Sequence, residues 1–182
     1  MRPDQIEGWM GREPLRWLAR TARRHARIIE IGSWKGRSTK ALAHPDAVVW
    51  AVDTWQGVPD DPTQHKLYVD TESAWGDFRE HLAPEIDRGH VVPMRMDRLK
   101  ALRILADQYG PTFGMIFIDA DHRYEAVHAD ITAALPMLRP GGILCGHDYH
   151  WPGPRKAVDE LLPDATRGPA SLWSYTPCPT PA

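Results

Sequence analysis

The chain has 182 residues, which is enough for one sizeable hydrophobic core and short for two. Hydrophobic residues make up 42% and charged residues 25%, and a net charge of −2 does not favour a nucleic-acid backbone or an anionic membrane. Cys145 and Cys178 form no CxxC motif, and no run approaches the roughly 18 apolar residues of a membrane span, so a cytoplasmic location is expected.

The predicted elements alternate between helices and strands along the chain. A first helix begins near Pro14, and helices are also predicted after strands 1, 3 and 4. The predicted strands are 28–31, 48–52, 91–96, 115–118 and 143–145. The helix after strand 3 is expected to bury Leu99, Leu102, Leu105 and Tyr109, and the helix after strand 4 to end at 139–142.

This alternation predicts an α/β fold, a Rossmann-like doubly wound and mostly parallel sheet with helices on both faces. The strands are nearly continuous apolar runs, as is typical of strands covered on both sides. Pro93 interrupts strand 3, and because proline is confined to edge strands, the strand order 3-2-1-4-5 is favoured. Beyond Leu162 only 171–175 has a strand pattern, so the C-terminal strand region is expected to be shortened.

One domain is expected over residues 1–175, with an insert and a tail that depart from its rhythm. The stretch 57–82 is too long for a simple connection, and we expect it to form a partly helical lid. The proline-rich residues 176–182 are expected to be a poorly ordered tail.

Acidic residues lie in or directly after each of the five predicted strands. They are Glu30, Asp53, Asp97, Asp119 and Asp148. Any one of them alone is most simply explained as a turn residue or a helix cap. In open α/β sheets, however, ligands bind beyond the carboxyl ends of the strands, so five such residues in register predict a binding site.

The loop after strand 1 indicates the class of ligand. It contains Glu30, Gly32, Ser33 and Gly36, and it lacks the G-x-G-x-x-G spacing of a dinucleotide site. Its glycines allow a tight turn with amide groups near an anion, whereas the acidic residue would attract an ammonium group. The amino-acid part of S-adenosylmethionine carries both charges, and Asp53 can accept hydrogen bonds from the ribose hydroxyls.

Four segments carry a family resemblance: IIEIGSWKGRST, AVDTWQG, MIFIDADHRYEAVHADI and LRPGGILCGHDY. In this order they resemble the class I S-adenosylmethionine-dependent methyltransferases. The resemblance is strongest to the small bacterial O-methyltransferases that include macrolide-sugar methyltransferases and cephalosporin-hydroxylase-like proteins. It extends from about Glu7 to about Leu162.

The resemblance implies a set of cofactor-binding residues: Glu30, Gly32, Ser33, Gly36, Asp53, Trp55, Asp97 and Asp119. In this interpretation Trp55 packs on the ribose or adenine, and Asp97 lies near the adenine amino group. For Trp34 and Trp55 the alternative is packing in the core, and the sequence leaves both roles open. Asp121 has a simpler role as a helix cap.

The resemblance also implies the catalytic residues. In the similar sugar methyltransferases a carboxylate matching Asp119 binds Mg²⁺, a second one matches Asp148, and a histidine matching His122 acts as the base. Where those relatives have a glutamate, this chain has His147, which is the third candidate metal ligand. Because imidazole is a poor ligand for Mg²⁺, either His147 is not a ligand, or the site prefers another metal, or no metal binds. We expect an acceptor pocket near four aromatic residues: Tyr68, Trp75, His150 and Trp151.

The expected partner is a small-molecule acceptor, without nucleic acid or membrane, and a homodimer would supply any missing wall of the acceptor pocket.

Several alternative functions compete with this interpretation. A metal-dependent hydrolase could use the same acidic and histidine residues, and a non-catalytic cofactor-binding protein would need no acceptor. The chain lacks the glycine spacing of an NAD-linked oxidoreductase. It also lacks the basic face expected of a nucleic-acid methyltransferase.

Overall fold

The computed structural model describes residues 1–57 and 71–178. The helices of this part are α1 (Arg12–Ala22), α2 (Arg37–Leu42), α3 (Thr71–Asp87), α4 (Arg98–Tyr109), α5 (Tyr124–Ala134) and α6 (Pro152–Leu161), with short 3₁₀ turns at Pro3–Gln5 and Leu135–Met137. The strands are β1 (Arg27–Ile31), β2 (Val48–Asp53), β3 (Val91–Arg95), β4 (Phe113–Ile118), β5 (Leu138–Gly146), β6 (Thr166–Arg167) and β7 (Trp173–Tyr175).

Within the described ranges the strands form one seven-stranded sheet in the order β3-β2-β1-β4-β5-β7-β6. The first five strands are parallel, and β7 runs antiparallel to both β5 and β6. The predicted order 3-2-1-4-5 is therefore confirmed, and Pro93 lies on the edge strand opposite Ala51. The closing hairpin has strands of two and three residues, which agrees with the predicted shortening.

The register of the parallel strands brings the predicted acidic residues to one edge of the sheet. Ile31 at the end of β1 pairs with Val52 on one side and with Ile118 on the other. The hydrogen-bonded ladder continues beyond the strands, because Asp119 donates its N–H to the carbonyl of Ile31 at 2.8 Å and His147 donates to that of Ile118 at 3.1 Å. Asp119 and His147 therefore lie on neighbouring strand ends.

The start of β5 differs from the prediction. The helix after strand 4 was expected to end at 139–142. In the structure α5 ends at Ala134 and β5 already begins at Leu138. Leu138 is 7% exposed and pairs with Phe113, so the first strand residue is held in the core. A register shift between Phe113 and Met115 accommodates the extra residues that follow, and the predicted helix end was wrong.

The buried face of α4 also differs by one position. Ala101, Leu102 and Leu105 are almost fully buried, whereas Leu99 is 39% exposed. Leu99 is the second residue of the helix and precedes the first helix residue that is buried, Ala101. The prediction that Leu99 is buried was therefore wrong.

The predicted lid falls partly on a core helix. Residues 71–82 belong to α3, in which Phe78 and Leu82 are fully buried against the sheet layer. Residues 58–70 of the insert, with Tyr68, and residues 179–182 of the predicted tail lie outside the described part of the chain. Among the described residues, no helix has the length and apolar character needed to cross a membrane.

Candidate functional site

A cavity of about 660 Å³ opens over the carboxyl ends of the parallel strands. Eight predicted site residues line it: Gly32, Ser33, Asp53, Asp97, Asp119, His122, His147 and Asp148. Three others, Glu30, Gly36 and Trp55, do not line the cavity wall. Ligands of open α/β sheets bind in this position, so the cavity is the candidate site.

Asp53 holds the loop that follows β1. Its Oδ2 accepts hydrogen bonds from the backbone N–H groups of Ser33 and Trp34 at 2.9 Å each, and its Oδ1 accepts one from Trp55 N–H at 2.7 Å. The amides that were expected to face a bound anion therefore already hold the Asp53 carboxylate. This arrangement fixes the loop on β2 and leaves Asp53, on the cavity wall, to accept further hydrogen bonds.

Gly32 allows the loop to cross directly over the end of β4. Its φ is +91°, and a Cβ built there would lie 2.2 Å from the Asp119 carbonyl oxygen. Gly36 has a φ of +87° and its Cβ would meet Leu82 at 2.2 Å, so this glycine serves packing against α3 rather than the cavity. Both positions require glycine for steric reasons as well as for backbone conformation.

A Gly32→Ala variant is expected to lose at least about 2 kcal/mol more unfolding free energy than Gly89→Ala, because only Gly32 adds a backbone clash to the left-handed conformation. Gly89 has a φ of +75° with nothing within 4 Å of its virtual Cβ, which makes it the matched control. Urea denaturation of both variants measures the difference. Equal losses would show that the loop simply moves aside.

Glu30 also holds the loop that follows β1, through a hydrogen bond with Ser33. Its side chain is fully buried, and Oε2 accepts hydrogen bonds from Ser33 Oγ at 2.8 Å and from Thr39 Oγ1. Oε1 has no hydrogen-bond partner among the described residues. Burial raises the pKa of Glu30 to about 7, although the hydroxyls of Ser38, Thr39 and Ser33 oppose the shift. Glu30 thus contacts the loop rather than the cavity.

Because the folded-state pKa of Glu30 is about 7 against an ordinary value of 4.5, the folded chain binds the extra proton between these pH values. This group's contribution to stability is present at low pH and is lost as the pH rises towards 7 and above. A Glu30→Gln variant should therefore gain stability relative to the wild type with rising pH, by at most about 3 kcal/mol. Urea denaturation from pH 4.5 to 8 measures this, and parallel stability curves would contradict it.

Trp55 packs in the core, which was one of its two predicted roles. Its ring is fully buried and lies 4.5 Å from that of Trp75 and 4.8 Å from that of Phe78, centroid to centroid. The indole N–H donates to the Trp34 carbonyl oxygen at 2.6 Å. Trp55 therefore supports the loop from behind, and Trp75, predicted to line an acceptor pocket, belongs to the same cluster.

Three of the four non-glycine residues with positive φ in the described ranges lie at the edge of the site. Trp34, Trp55 and Asp148 have φ values of 40°, 53° and 57°, in a region that bulky side chains rarely adopt. They follow β1, β2 and β5, so strain is concentrated where the strands deliver their site residues. Such strain is typical of functional sites and has no signature in the sequence.

Two carboxylates and two imidazoles form a cluster at the ends of β4 and β5. His122 Nε2 lies 2.8 Å from Asp148 Oδ2, and His147 Nδ1 lies 3.1 Å from Asp148 Oδ1 and 3.6 Å from Asp119 Oδ1. One ligand atom each from Asp119, His122 and Asp148 lies within 4.8 Å of the others. The cluster could therefore hold a divalent cation, and the sequence prediction had named His147 in place of His122.

The two carboxylates of this cluster favour the protonated, positively charged form of His147. Burial lowers the pKa of His147, but the hydrogen bonds and charges of Asp119 and Asp148 outweigh it and raise the value to about 10. Burial similarly opposes ionisation of Asp148, yet the two histidines hold its pKa well below the usual range. A protonated His147 thus neutralises part of the carboxylate charge and cannot at the same time be a metal ligand.

Aromatic side chains flank His122 on the outer side of the cavity. The ring of Trp151 is nearly parallel to that of His122, at 15° and 5.5 Å between centroids, and Trp151 is 40% exposed. His150, predicted with Trp151 to line an acceptor pocket, also lies on the cavity wall. Stacking and the contact with Asp148 together fix the plane and direction of the His122 imidazole.

Asp97 and Asp121 both have local roles. Asp97 lines the cavity and also caps α4, because its Oδ1 accepts from Lys100 N–H at 3.0 Å. Asp121 accepts from the N–H of Arg123 at 2.9 Å and pairs with its guanidinium at 2.6 Å. It therefore organises the turn before α5 without being its N-cap, which is Arg123.

The sequence prediction missed two groups that the structure brings to the cavity. Gly8, Trp9 and Met10 form part of its wall together with Arg37. Arg98 also lines it, and its Nε lies 2.6 Å from Oδ1 of the fully buried Asp130. The contacting residues, Arg37 with Met10 and Arg98 with Asp130, lie 27 and 32 positions apart, so no local sequence pattern indicates them. The one available signal was Asp130, an acidic residue within the apolar face of α5.

Comparison with known proteins gives one match to a protein family. Residues 29–149 match the model described as a methyltransferase domain. The protein y4gI of Sinorhizobium fredii, described as uncharacterized, is 28% identical over 152 residues, which cover 80% of this chain. The chain spans only 15% of the length of that relative.

Solved structures share the fold. CalS11, described as a calicheamicin methyltransferase, matches with a TM-score of 0.67 and 19% identity over 90% of this chain and 77% of that one. A second CalS11 structure is described as a TDP-rhamnose 3'-O-methyltransferase and matches with a TM-score of 0.58 and 21% identity over the same shares of the two chains. The O-methyltransferase from Bacillus cereus, in complex with SAH, has a TM-score of 0.67 and 18% identity over 93% of this chain and 84% of that one.

Proposed function

Because the chain belongs to the methyltransferase domain family, we propose that it transfers a methyl group from S-adenosylmethionine to a hydroxyl group of a small molecule. The observation that carries this proposal is the position of two features in one cavity. A glycine loop held by Asp53 lies on one side, and the His122–Asp148 pair with Asp119 lies on the other. A cofactor and an acceptor can therefore meet between them.

The cavity residues fit the proposed cofactor. Asp53 lies at the end of β2 with its carboxylate oriented by three backbone amides, so it can accept the ribose hydroxyls. Asp97 is the proposed acceptor of a hydrogen bond from the adenine amino group, and its position on the cavity wall beyond β3 supports this role. Gly32 lets the loop after β1 lie directly against the backbone of Asp119, so the loop and the end of β4 form adjoining parts of the cavity wall.

His122 is the proposed base. When bound, S-adenosylmethionine supplies an electrophilic methyl group, and transfer needs an aligned acceptor that loses its proton. The imidazole contacts Asp148 through Nε2 and stacks on the Trp151 ring, so its plane and direction are fixed on the cavity wall, where an acceptor hydroxyl would bind. The Asp148 charge stabilises the imidazolium that forms when His122 takes the proton.

We further propose that Asp119 and Asp148 can hold a divalent cation such as Mg²⁺, with water completing the ligand set while His122 remains the base. An ion there would lower the pKa of a bound acceptor hydroxyl. We assign His147 a different role: when no ion is bound, the protonated His147 balances the charge of the two carboxylates.

Exhaustive chelation is therefore expected to reduce methyl transfer at least about tenfold, with recovery on adding Mg²⁺ or Mn²⁺. Binding of Mn²⁺, followed by its paramagnetic signal, should disappear in an Asp119→Asn, Asp148→Asn double variant that still unfolds cooperatively. Transfer that survives chelation unchanged would remove the metal from the mechanism.

The acceptor class is drawn from the neighbours. CalS11 is described as a TDP-rhamnose 3'-O-methyltransferase, and a sugar or secondary-metabolite hydroxyl is the corresponding proposal for this chain. The test is incubation with ¹³C-methyl-labelled S-adenosylmethionine and a panel of sugar nucleotides and phenols. A labelled methoxy carbon in the NMR spectrum supports the proposal, and label attached to nitrogen or sulfur contradicts it.

A further inference from the structure

A segment that the sequence prediction did not assign to the site, residues 3–10, crosses the cavity edge and is called the strap below. Arg37 holds the strap at two points, because its Nε donates to the carbonyl oxygen of Met10 at 2.8 Å and its Nη1 donates to that of Ile6. Ile6 and Met10 are 1% and 5% exposed, so the strap is anchored on both sides of Trp9.

Trp9 itself remains 66% exposed between these buried anchors. Its ring lies 4.5 Å from the ring of Trp34, centroid to centroid, with 30° between the planes, and both residues line the cavity. A tryptophan left in solvent beside a cavity is typical of a binding surface, since its large apolar face gains from being covered.

Trp34 supplies an independent sign of a ligand. Its indole Nε1 is buried and has no hydrogen-bond partner among the residues that the structure describes. A buried donor without an acceptor is costly, and a ligand or an ordered water commonly satisfies it. Trp34 also belongs to the loop that Asp53 holds, so the strap contacts the proposed cofactor site directly.

The strand order indicates which part of the ligand the strap meets. Asp53 ends β2 and Asp97 lies beyond β3, on the side of the sheet assigned to the nucleoside. The rest of the ligand must then extend over β1, where Arg37 opens α2 and carries the strap. The amino-acid end therefore comes to lie beside Trp34 and Trp9.

We propose that Trp9 is a cofactor-binding residue that covers the amino-acid end of S-adenosylmethionine together with Trp34. This inference rests on the proposed function. Its indole face excludes water from the charged end of the ligand and strengthens the contacts that the loop makes there. The face of an indole ring also attracts cations, and both the ammonium and the sulfonium group carry positive charge.

Calorimetric titration of Trp9→Ala and Trp9→Phe tests this with two ligands. S-adenosylhomocysteine has the amino-acid part, and 5'-methylthioadenosine lacks it. In Trp9→Ala the affinity for S-adenosylhomocysteine should fall about fivefold to tenfold, while that for 5'-methylthioadenosine is unchanged. Trp9→Phe keeps an aromatic face and should stay within about twofold of the wild type.

The exposed Ile104, which lies outside the cavity wall, gives the matched control Ile104→Ala, with wild-type affinity for both ligands expected. Hydrogen exchange provides a second measurement, in which S-adenosylhomocysteine should slow exchange of the strap amides in the wild type. Wild-type affinity in Trp9→Ala would overturn the inference while the proposed function stands, and so would an equal loss for both ligands. A wild type that binds neither ligand would overturn the proposed function itself.

Discussion

An Asp53→Ala variant is expected to bind S-adenosylhomocysteine about a hundredfold more weakly than the wild type, because hydrogen bonds to a charged group are among the stronger ones. The change removes the acceptor of three backbone N–H groups, from Ser33, Trp34 and Trp55. It also removes the group proposed to bind the ribose hydroxyls. The loop loses its attachment to β2 at the same time as the ligand loses a partner.

The matched control for this variant is Asp46→Ala. Asp46 is an exposed carboxylate that lies before the opposite end of the same strand, so the change in net charge is identical. We expect wild-type affinity in the control, and a cooperative thermal transition in both variants shows that each remains folded. Equal affinity in Asp53→Ala and the wild type would remove Asp53 from the cofactor site.

The second large effect is expected at His122. A His122→Ala variant should lose turnover by about a thousandfold, which is within the range attributed to general bases. Its affinity for S-adenosylhomocysteine should be kept, because His122 lies on the side of the cavity formed by β4, β5 and α6 rather than on the loop after β1. Single-turnover methyl transfer and calorimetry measure the two quantities separately.

His128 is the matched control, since it lies six residues after His122, within α5, and does not line the cavity. His128→Ala should turn over as the wild type does. Wild-type turnover in His122→Ala would exclude His122 as the base. A loss of cofactor affinity equal to the loss of turnover would show that His122 binds the cofactor instead.

The core of the fold was predictable because the sheet leaves a strong local signal. β4 is buried at all six positions and β1 at four of five, so their apolar runs identify them as central strands. Pro93 marked the edge strand by its missing backbone donor. The strand-end acids followed from topology alone, since parallel strands deliver their carboxyl ends to one edge.

The parts that were not predictable depend on contacts between distant segments. The roles of Trp34 and Trp55 depend on left-handed backbone conformations that no tryptophan sequence pattern indicates. The strap is held at the cavity by residues far along the chain, Arg37, which lies 27 positions from Met10, and Lys35, which lies 28 positions from Glu7. The pairing of His122 with Asp148 depends on how α5 begins, and the sequence, which predicted His122 as the base and His147 as a metal ligand, did not indicate it.

The measurement to make first is a calorimetric titration of the purified chain with S-adenosylhomocysteine, with NAD as the control ligand. We predict binding in about the micromolar range for S-adenosylhomocysteine and no binding of NAD, because the loop after β1 lacks the dinucleotide spacing. Absence of S-adenosylhomocysteine binding by a chain that still unfolds cooperatively would contradict the assignment of this cavity as a methyl-donor site.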